Sequence, residues 1–175
     1  MDDHSAVPSA AASGGPPALA AEVLHDGRVT EDDEELILAA LTECGVAAQV
    51  KIVPARRDAQ TLSWLLLISL PLQGFLSSMS QKFAEDTYRT FTRVVGRLLD
   101  RYQPPAGTPA GKPPVLILQD PATGLRIALE PDLPTEAHQQ LCALDLSRYR
   151  LGPLHYDRAQ HRWRSELDEA ESAPL

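Results

Sequence analysis

The longest uncharged stretch of the chain surrounds a dense apolar run from Leu62 to Leu76, and no charged residue occurs between Asp58 and Lys82. Such a run predicts either a membrane-spanning helix or a buried strand that leads into a helix. A spanning helix needs about 20 mostly apolar residues. Serines and glutamines interrupt this window, and Pro71 stands in its middle. We therefore interpret residues 62–70 as a buried strand.

The side chains of residues 62–70 sort into two faces, because successive residues of a strand point to opposite sides. One face is wholly apolar and holds Leu62, Trp64, Leu66, Ile68 and Leu70. The other face has Leu65 and Leu67 at its centre and a serine at each end. This pattern predicts a central strand that is covered completely on one side and partly on the other.

A helix and a second strand are predicted before this stretch. Thr30 followed by Asp33 is a loose capping-box pattern. The acids of residues 31–35 suit the first turn of a helix, where the helix dipole favours negative charge. Gly45 is a natural end for this helix. Residues 46–53 then alternate between apolar and polar side chains, which predicts a half-exposed strand joined to the buried strand as a hairpin.

The clearest helical period runs from about Ser78 to Tyr102, where apolar residues recur every three or four positions. Ser78 and Gln81 form a capping-box pattern, so the helix is predicted to begin there. A helix of this length spans about 37 Å at about 1.5 Å per residue. Its opposite face carries four arginines spaced four residues apart, which we call the arginine row. They are Arg89, Arg93, Arg97 and Arg101.

Three further elements follow a loop at residues 103–114 that is rich in Pro, Gly and Ala. Residues 115–130 predict a hairpin, because residues 120–124 supply Pro and Gly where a turn needs them. Residues 132–144 predict a helix. Residues 154–164 predict a last hairpin, in which Tyr156 is expected to lie opposite His161 and His155 opposite Arg162.

These elements predict an α+β fold with an antiparallel or mixed sheet of three hairpins, about six strands, one long amphipathic helix and two shorter helices. Residues 1–20 have too few large apolar side chains to offset the cost of ordering, so they are predicted to be disordered. Residues 21–166 are expected to form the single domain, beginning with a short extended piece at 21–30. Residues 167–175 are predicted to be an acidic tail.

The charge of the chain is concentrated at one end, although the formal net charge is only −8. Residues 1–35 hold nine acids and one base, whereas residues 36–175 hold 15 acids and 15 bases. Nucleic-acid binding needs clustered positive charge, so no nucleic-acid partner is expected. The absence of a secretory signal and the spacing of Cys44 and Cys142 favour a cytoplasmic protein. The absence of Asn beside abundant Ala and Arg favours a bacterial source.

The sequence contains no familiar catalytic or cofactor-binding motif. The run from Gly107 to Lys112 lacks the spacing and the following helix of a phosphate-binding loop. His155, Asp157 and His161 have near-ligand spacing, but the predicted hairpin directs the two histidines to opposite faces. We therefore predict no catalytic residue, no cofactor and no metal, while a site assembled from distant residues stays open.

Two surfaces are predicted to bind a partner. The first is the second face of the sheet, where Leu65, Leu67, Val115 and Ile117 are expected to meet under incomplete cover. The second is the arginine row, which suits an acidic partner. The sequence thus predicts a non-enzymatic protein-interaction module, an adaptor or assembly subunit of a bacterial multi-protein system that binds a protein or itself. The alternatives are a peripheral or anchored membrane component using Leu62–Leu76 and the arginine row, and an enzyme with an unrecognised site.

Overall fold

A computed structural model describes residues 19–25, 27–53, 64–81, 86–102 and 115–172. Its architecture is α+β, with a five-stranded mixed sheet and a separate two-stranded sheet. The elements in chain order are β1 (Leu19–His25), α1 (Glu31–Glu43), β2 (Val46–Ile52), β3 (Trp64–Ser69), α2 (Leu72–Gln81), α3 (Asp86–Arg101), β4 (Val115–Gln119), β5 (Arg126–Leu129), α4 (Thr135–Cys142), a 3₁₀ turn (Leu146–Arg148), β6 (His155–Asp157), β7 (Arg162–Arg164) and α5 (Glu166–Ser172). Disorder was predicted for residues 1–20; residues 1–18 lie outside the described residues, as does the loop predicted at 103–114. The prediction is wrong for Leu19 and Ala20, because both belong to β1 and pair with β2.

The large sheet has the strand order β2-β1-β3-β4-β5. β1 and β2 are parallel and are connected by α1, and β3 and β4 are parallel as well. The pairs β1–β3 and β4–β5 are antiparallel, so the predicted mixed sheet is confirmed. The hairpin predicted between residues 46–53 and 62–70 is wrong, because β1 lies between β2 and β3 and pairs with both.

The side chains of β1, which pairs with both β2 and β3, alternate between the two faces of the sheet. Ala21, Val23 and His25 are buried, whereas Ala20 and Glu22 are exposed. The buried row faces the helices, and a strand with this period and one apolar row can enter the middle of a half-covered sheet. Only a short extended piece was predicted in this region. The strand that joins the parallel pair β1–β2 to the parallel pair β3–β4 was therefore missed.

The main core lies between one face of the sheet and the helices. All of α1 to α4 contribute buried apolar side chains to it, as do β6 and β7 through Tyr156 and Trp163. The rings of Phe75 in α2 and Phe91 in α3 meet edge to face, with centroids 5.6 Å apart. In β6 and β7 the indole N–H of Trp163 donates to the carbonyl of Ala137 in α4 at 2.7 Å. This bond ties the small sheet to the helical layer.

Within the apolar stretch, residues 64–69 form β3 and residues 72–76 form the first turns of α2. Leu66, Ile68, Leu70 and Leu72 are fully buried, so these side chains belong to the core. Across the described ranges, none of the helices has the length and apolarity that crossing a membrane requires.

The long helix predicted from Ser78 to Tyr102 is not confirmed as one element. The structure assigns α2 and α3 separately, and residues 82–85 between them lie outside the described residues. The predicted start at Ser78 is wrong, because α2 already begins at Leu72. Its first N–H, that of Leu72, donates to Oδ2 of Asp120 at 3.1 Å. The cap is therefore supplied by a residue 48 positions away, which no local pattern reveals.

The last hairpin is present, but its register differs from the prediction. Tyr156 pairs with Trp163 instead of His161, and His155 pairs with Arg164. The turn is held by Asp157, whose Oδ1 accepts hydrogen bonds from the N–H groups of Ala159 and Gln160. Residues 167–172 of the predicted acidic tail lie in α5.

Candidate interaction surfaces

The second face of the sheet carries a small apolar cluster on β3, β4 and β5. Val115, Ile117 and Ala128 form it, and Leu67 packs against it. Ile117 is 1% exposed, Val115 and Ala128 are also buried, and Leu67 is half-buried. Partner binding through Leu67, Val115 and Ile117 stays a prediction, and it would require the two buried side chains to become exposed.

Leu65 does not join this cluster. The pairing of β3 with β4 shifts in register between Trp64 and Leu66, which is a β-bulge or a similar irregularity. A bulge changes the direction of the side chain at that point. Leu65 consequently belongs to the main core and is 1% exposed. The strict alternation used in the sequence analysis placed Leu65 beside Leu67, and the irregularity is the reason that the structure separates them.

The arginine row lies on α3, and its members have different environments. Arg89, Arg93 and Arg97 are exposed. Residues four apart on a helix lie about 6 Å from one another along the axis, so these three guanidinium groups can form one basic strip. Arg101 is different, because its Nη1 atom lies 2.6 Å from Oδ1 of Asp33 in α1. The row therefore offers three arginines to a partner and uses the fourth within the chain.

Asp33 connects the start of α1 to the end of α3. It is 2% exposed, and its carboxylate accepts hydrogen bonds from Arg101, from the hydroxyl of Tyr102 at 2.8 Å and from the hydroxyl of Thr30 at 3.0 Å. Burial by itself raises the pKa of Asp33, but these three hydrogen bonds outweigh it and hold the pKa below its usual value. The Tyr102 hydroxyl also accepts a hydrogen bond from the N–H of Thr30 at 3.1 Å. Tyr102 therefore contacts the residue that caps α1.

A second acid of α1 is engaged by a buried histidine. His25 at the end of β1 is 1% exposed, and its Nδ1 accepts the N–H of Gly27 at 3.1 Å. Its Nε2 lies 2.8 Å from Oε1 of Glu34, at an angle outside that of a hydrogen bond. Two of the five acids at the start of α1 thus have internal partners. The acidic run is consistent with helix capping and with packing against α3 and β1.

The two edges of the large sheet differ. The outer edge of β5 is closed by the chain itself, since the N–H of Ala128 donates to the carbonyl of Leu154 and the N–H of Leu154 donates to the carbonyl of Arg126, both at 2.8 Å. At the other edge, β2 pairs with β1 and with no other described strand. Within the described part of the chain, β2 is therefore the open edge of the sheet.

The hydrogen bond from Val53 to the carbonyl of His25 shows which groups of β2 face outward. Alternate residues of a parallel strand direct their N–H and C=O groups to the same neighbour. The main-chain N–H and C=O groups of Gln49, Lys51 and Val53 therefore point to β1. Those of Ala48, Val50 and Ile52 point away from it. Their side chains share one face, and exposure rises along it from buried Val46 to Ile52, which is 69% exposed.

Among the described residues, no group of three or more His, Cys, Asp or Glu side chains could hold a metal ion. His138 and Cys142 lie one turn apart on α4 and line a small apolar cavity of about 20 Å³. Sequence analysis had no signal for this pair. Burial lowers the pKa of His138 and raises the pKa of the Cys142 thiol to about 11, which favours the neutral form of each. For Cys142 the neutral form is the unreactive thiol.

Comparison with known proteins gives this chain no relatives. No family model matches it, and neither a curated protein nor a solved structure matches it.

Proposed function

We propose that this protein is a protein-interaction module, an adaptor or assembly subunit of a bacterial multi-protein system, and that the open edge of β2 is its docking element. The partner supplies an extended segment that adds to β2 as a further strand. Strand addition uses main-chain hydrogen bonds for affinity and alternate side chains for specificity. The observation that carries this proposal is the pairing of β2 with β1 alone among the described strands.

The side chains at this edge support the same proposal. Ile52 is the most exposed large apolar residue in the described part of the chain, at 69%. Val50 lies two residues earlier on the same face and is half-buried. An added strand with apolar residues at every second position would cover both side chains and would occupy the outward N–H and C=O groups of Ala48, Val50 and Ile52.

The arginine row gives the proposed partner a second contact of stated chemistry. Arg89, Arg93 and Arg97 are exposed on α3, so an acidic surface on the partner would be attracted to them. Such charges at the rim of an interface act mainly on the association rate and on its dependence on salt. This contact is therefore expected to be secondary to the edge of β2.

Site-specific photo-crosslinking in the source organism tests the proposal. A photoreactive amino acid at position 52 is expected to give one discrete adduct, whereas the same group at exposed Ala159, in the distant β6–β7 turn, is expected to give none. Adding Ala48→Pro to the variant with the photoreactive group at position 52 should abolish the adduct. The substitution removes the outward N–H of Ala48 while the bonds to β1 remain. Circular dichroism would verify that Ala48→Pro stays folded. Equal adducts at the two positions, or an adduct that survives Ala48→Pro in a folded protein, would refute the docking element.

A further inference from the structure

A second cavity lies away from the edge of β2, at the ends of the parallel strands β3 and β4. Its volume is about 520 Å³, which is within the range of about 300–1,000 Å³ that small-molecule sites occupy. Its lining includes Gln73, Asp120, Leu125, Leu146, Tyr149 and Arg150. Crevices outside the carboxyl ends of parallel strands are common ligand sites in open sheets.

The acid in this cavity is already engaged. Oδ1 of Asp120 accepts the N–H groups of Ala122 at 2.8 Å and Thr123 at 3.0 Å, and Oδ2 accepts the N–H of Leu72 at 3.1 Å. Although burial by itself raises the pKa of Asp120, these bonds and one from the Thr123 hydroxyl hold it below its usual value. The carboxylate is therefore a structural group that fixes the turn and the start of α2, and its oxygens are occupied.

The cationic side chain in this cavity has no ionic partner among the described residues. The side chain of Arg150 is exposed and lines the cavity, and within the described residues no acid lies at ion-pair distance from its guanidinium group. The main chain at Arg150 is held in place, because its N–H donates to Oδ1 of Asp168 at 3.0 Å. A guanidinium on a fixed backbone can bind a carboxylate or phosphate through two parallel hydrogen bonds.

The remaining lining combines an apolar floor with further donors. Leu125 and Leu146 are buried beneath the cavity, and the half-buried ring of Tyr149 stands beside Arg150. The amide of Gln73 and the phenol of Tyr149 add polar groups that can orient a ligand. We propose that this cavity binds a small organic anion, a carboxylate or a phosphate monoester with an aromatic or aliphatic body, with its charged group on Arg150 and its body on Leu125 and Leu146.

Titration of the full chain with phenylacetate and with phenyl phosphate, followed by ¹H–¹⁵N NMR, tests this site. Saturable shifts are expected for amides of residues 120, 122–125 and 146–150 with at least one of the two anions. The neutral analogue phenylacetamide is expected to bind at least about tenfold more weakly, because it cannot form the charged pair with Arg150. No saturable shift with either anion up to about 10 mM, or equally tight binding of phenylacetamide, would overturn the proposal.

Two arginine variants separate this site from a general effect of charge. Arg150→Gln is expected to weaken binding of the anion at least about tenfold. Arg148→Gln makes the same change of charge two residues away, on an exposed side chain that does not line the cavity, and is expected to leave the affinity within about twofold. An unchanged affinity in Arg150→Gln, or equal losses in the two variants, would overturn the assignment. The outcome is independent of the edge of β2, because the cavity shares no residue with it.

Discussion

The buried acid at the start of α1 gives the sharpest test of how this fold is held together. Asp33→Asn keeps the size of the side chain but removes the negative charge. Asp33 is 2% exposed, and its carboxylate accepts bonds from Arg101, Tyr102 and Thr30 at 2.6–3.0 Å. We therefore expect the substitution to lower the free energy of unfolding measurably at pH 7, whereas Asp32→Asn, on an exposed side chain of the same turn, should have little effect.

The magnitude follows from the type of bond. A hydrogen bond to a charged group contributes about 1.5–3 kcal/mol, against about 0.5–1.5 kcal/mol for a neutral one. The loss of charge thus costs about 1 kcal/mol for each of three bonds. The side chain of Arg101 is 56% exposed, so solvent screens its share. We expect a net loss of about 2 kcal/mol, or about 4–8 °C in melting temperature for a chain of this size.

Urea unfolding followed by circular dichroism at a series of pH values measures this contribution. Because the pKa of Asp33 is lowered in the folded state, its stabilising effect is complete above the unfolded pKa of about 3.9 and is lost as the pH falls through the folded pKa. The difference between the wild type and Asp33→Asn should therefore shrink below about pH 4. Equal effects of Asp33→Asn and Asp32→Asn at pH 7, or a difference that stays constant down to pH 3, would refute this account.

Three further outcomes are expected. Changing Arg89, Arg93 and Arg97 together to Gln should leave the melting temperature nearly unchanged, because exposed charges contribute little, and unfolding of this variant would contradict their placement. Asp168→Ala should accelerate hydrogen exchange of the amides at residues 150–152, because its carboxylate accepts all three N–H groups, and unchanged exchange would contradict that role. Cys142, whose pKa is raised to about 11, should react with iodoacetamide at pH 8 far more slowly in the folded than in the unfolded chain, as peptide mass mapping would show.

Local patterns predicted those elements whose start and end are set by neighbouring residues. Thr30 caps α1, and Gly45 follows that helix with a φ of 81°, as its position suggested. The turn between β4 and β5 uses Asp120 and Gly124 in the way that the sequence indicated. In each case the groups that satisfy the backbone lie within a few residues, so a short window of sequence contains the physical cause.

Longer-range pairing was not visible in the sequence. The position of β1 between β2 and β3 depends on which strands meet after α1 has packed. The alternation of side chains along a strand does not identify the strands with which it pairs. The cap of α2 comes from Asp120, and the internal partner of Arg101 is Asp33. Leu65 shows the same limit on a smaller scale, because a single irregularity in β3 moved it from the predicted contact surface into the main core.

The charges at the start of α1 show where a partner site should be sought. In the sequence, the acids of residues 31–35 and the arginine row are separate clusters of charge. In the fold they meet where Asp33 binds Arg101, while Glu34 approaches His25. The charges that are satisfied within the chain have little free energy left for a partner, because their desolvation and ordering are already compensated. Arg89, Arg93 and Arg97 remain exposed. Within the described residues, the outward main-chain groups of β2 have no protein partner, which is why its edge is proposed as the main docking element and the three exposed arginines as a secondary contact.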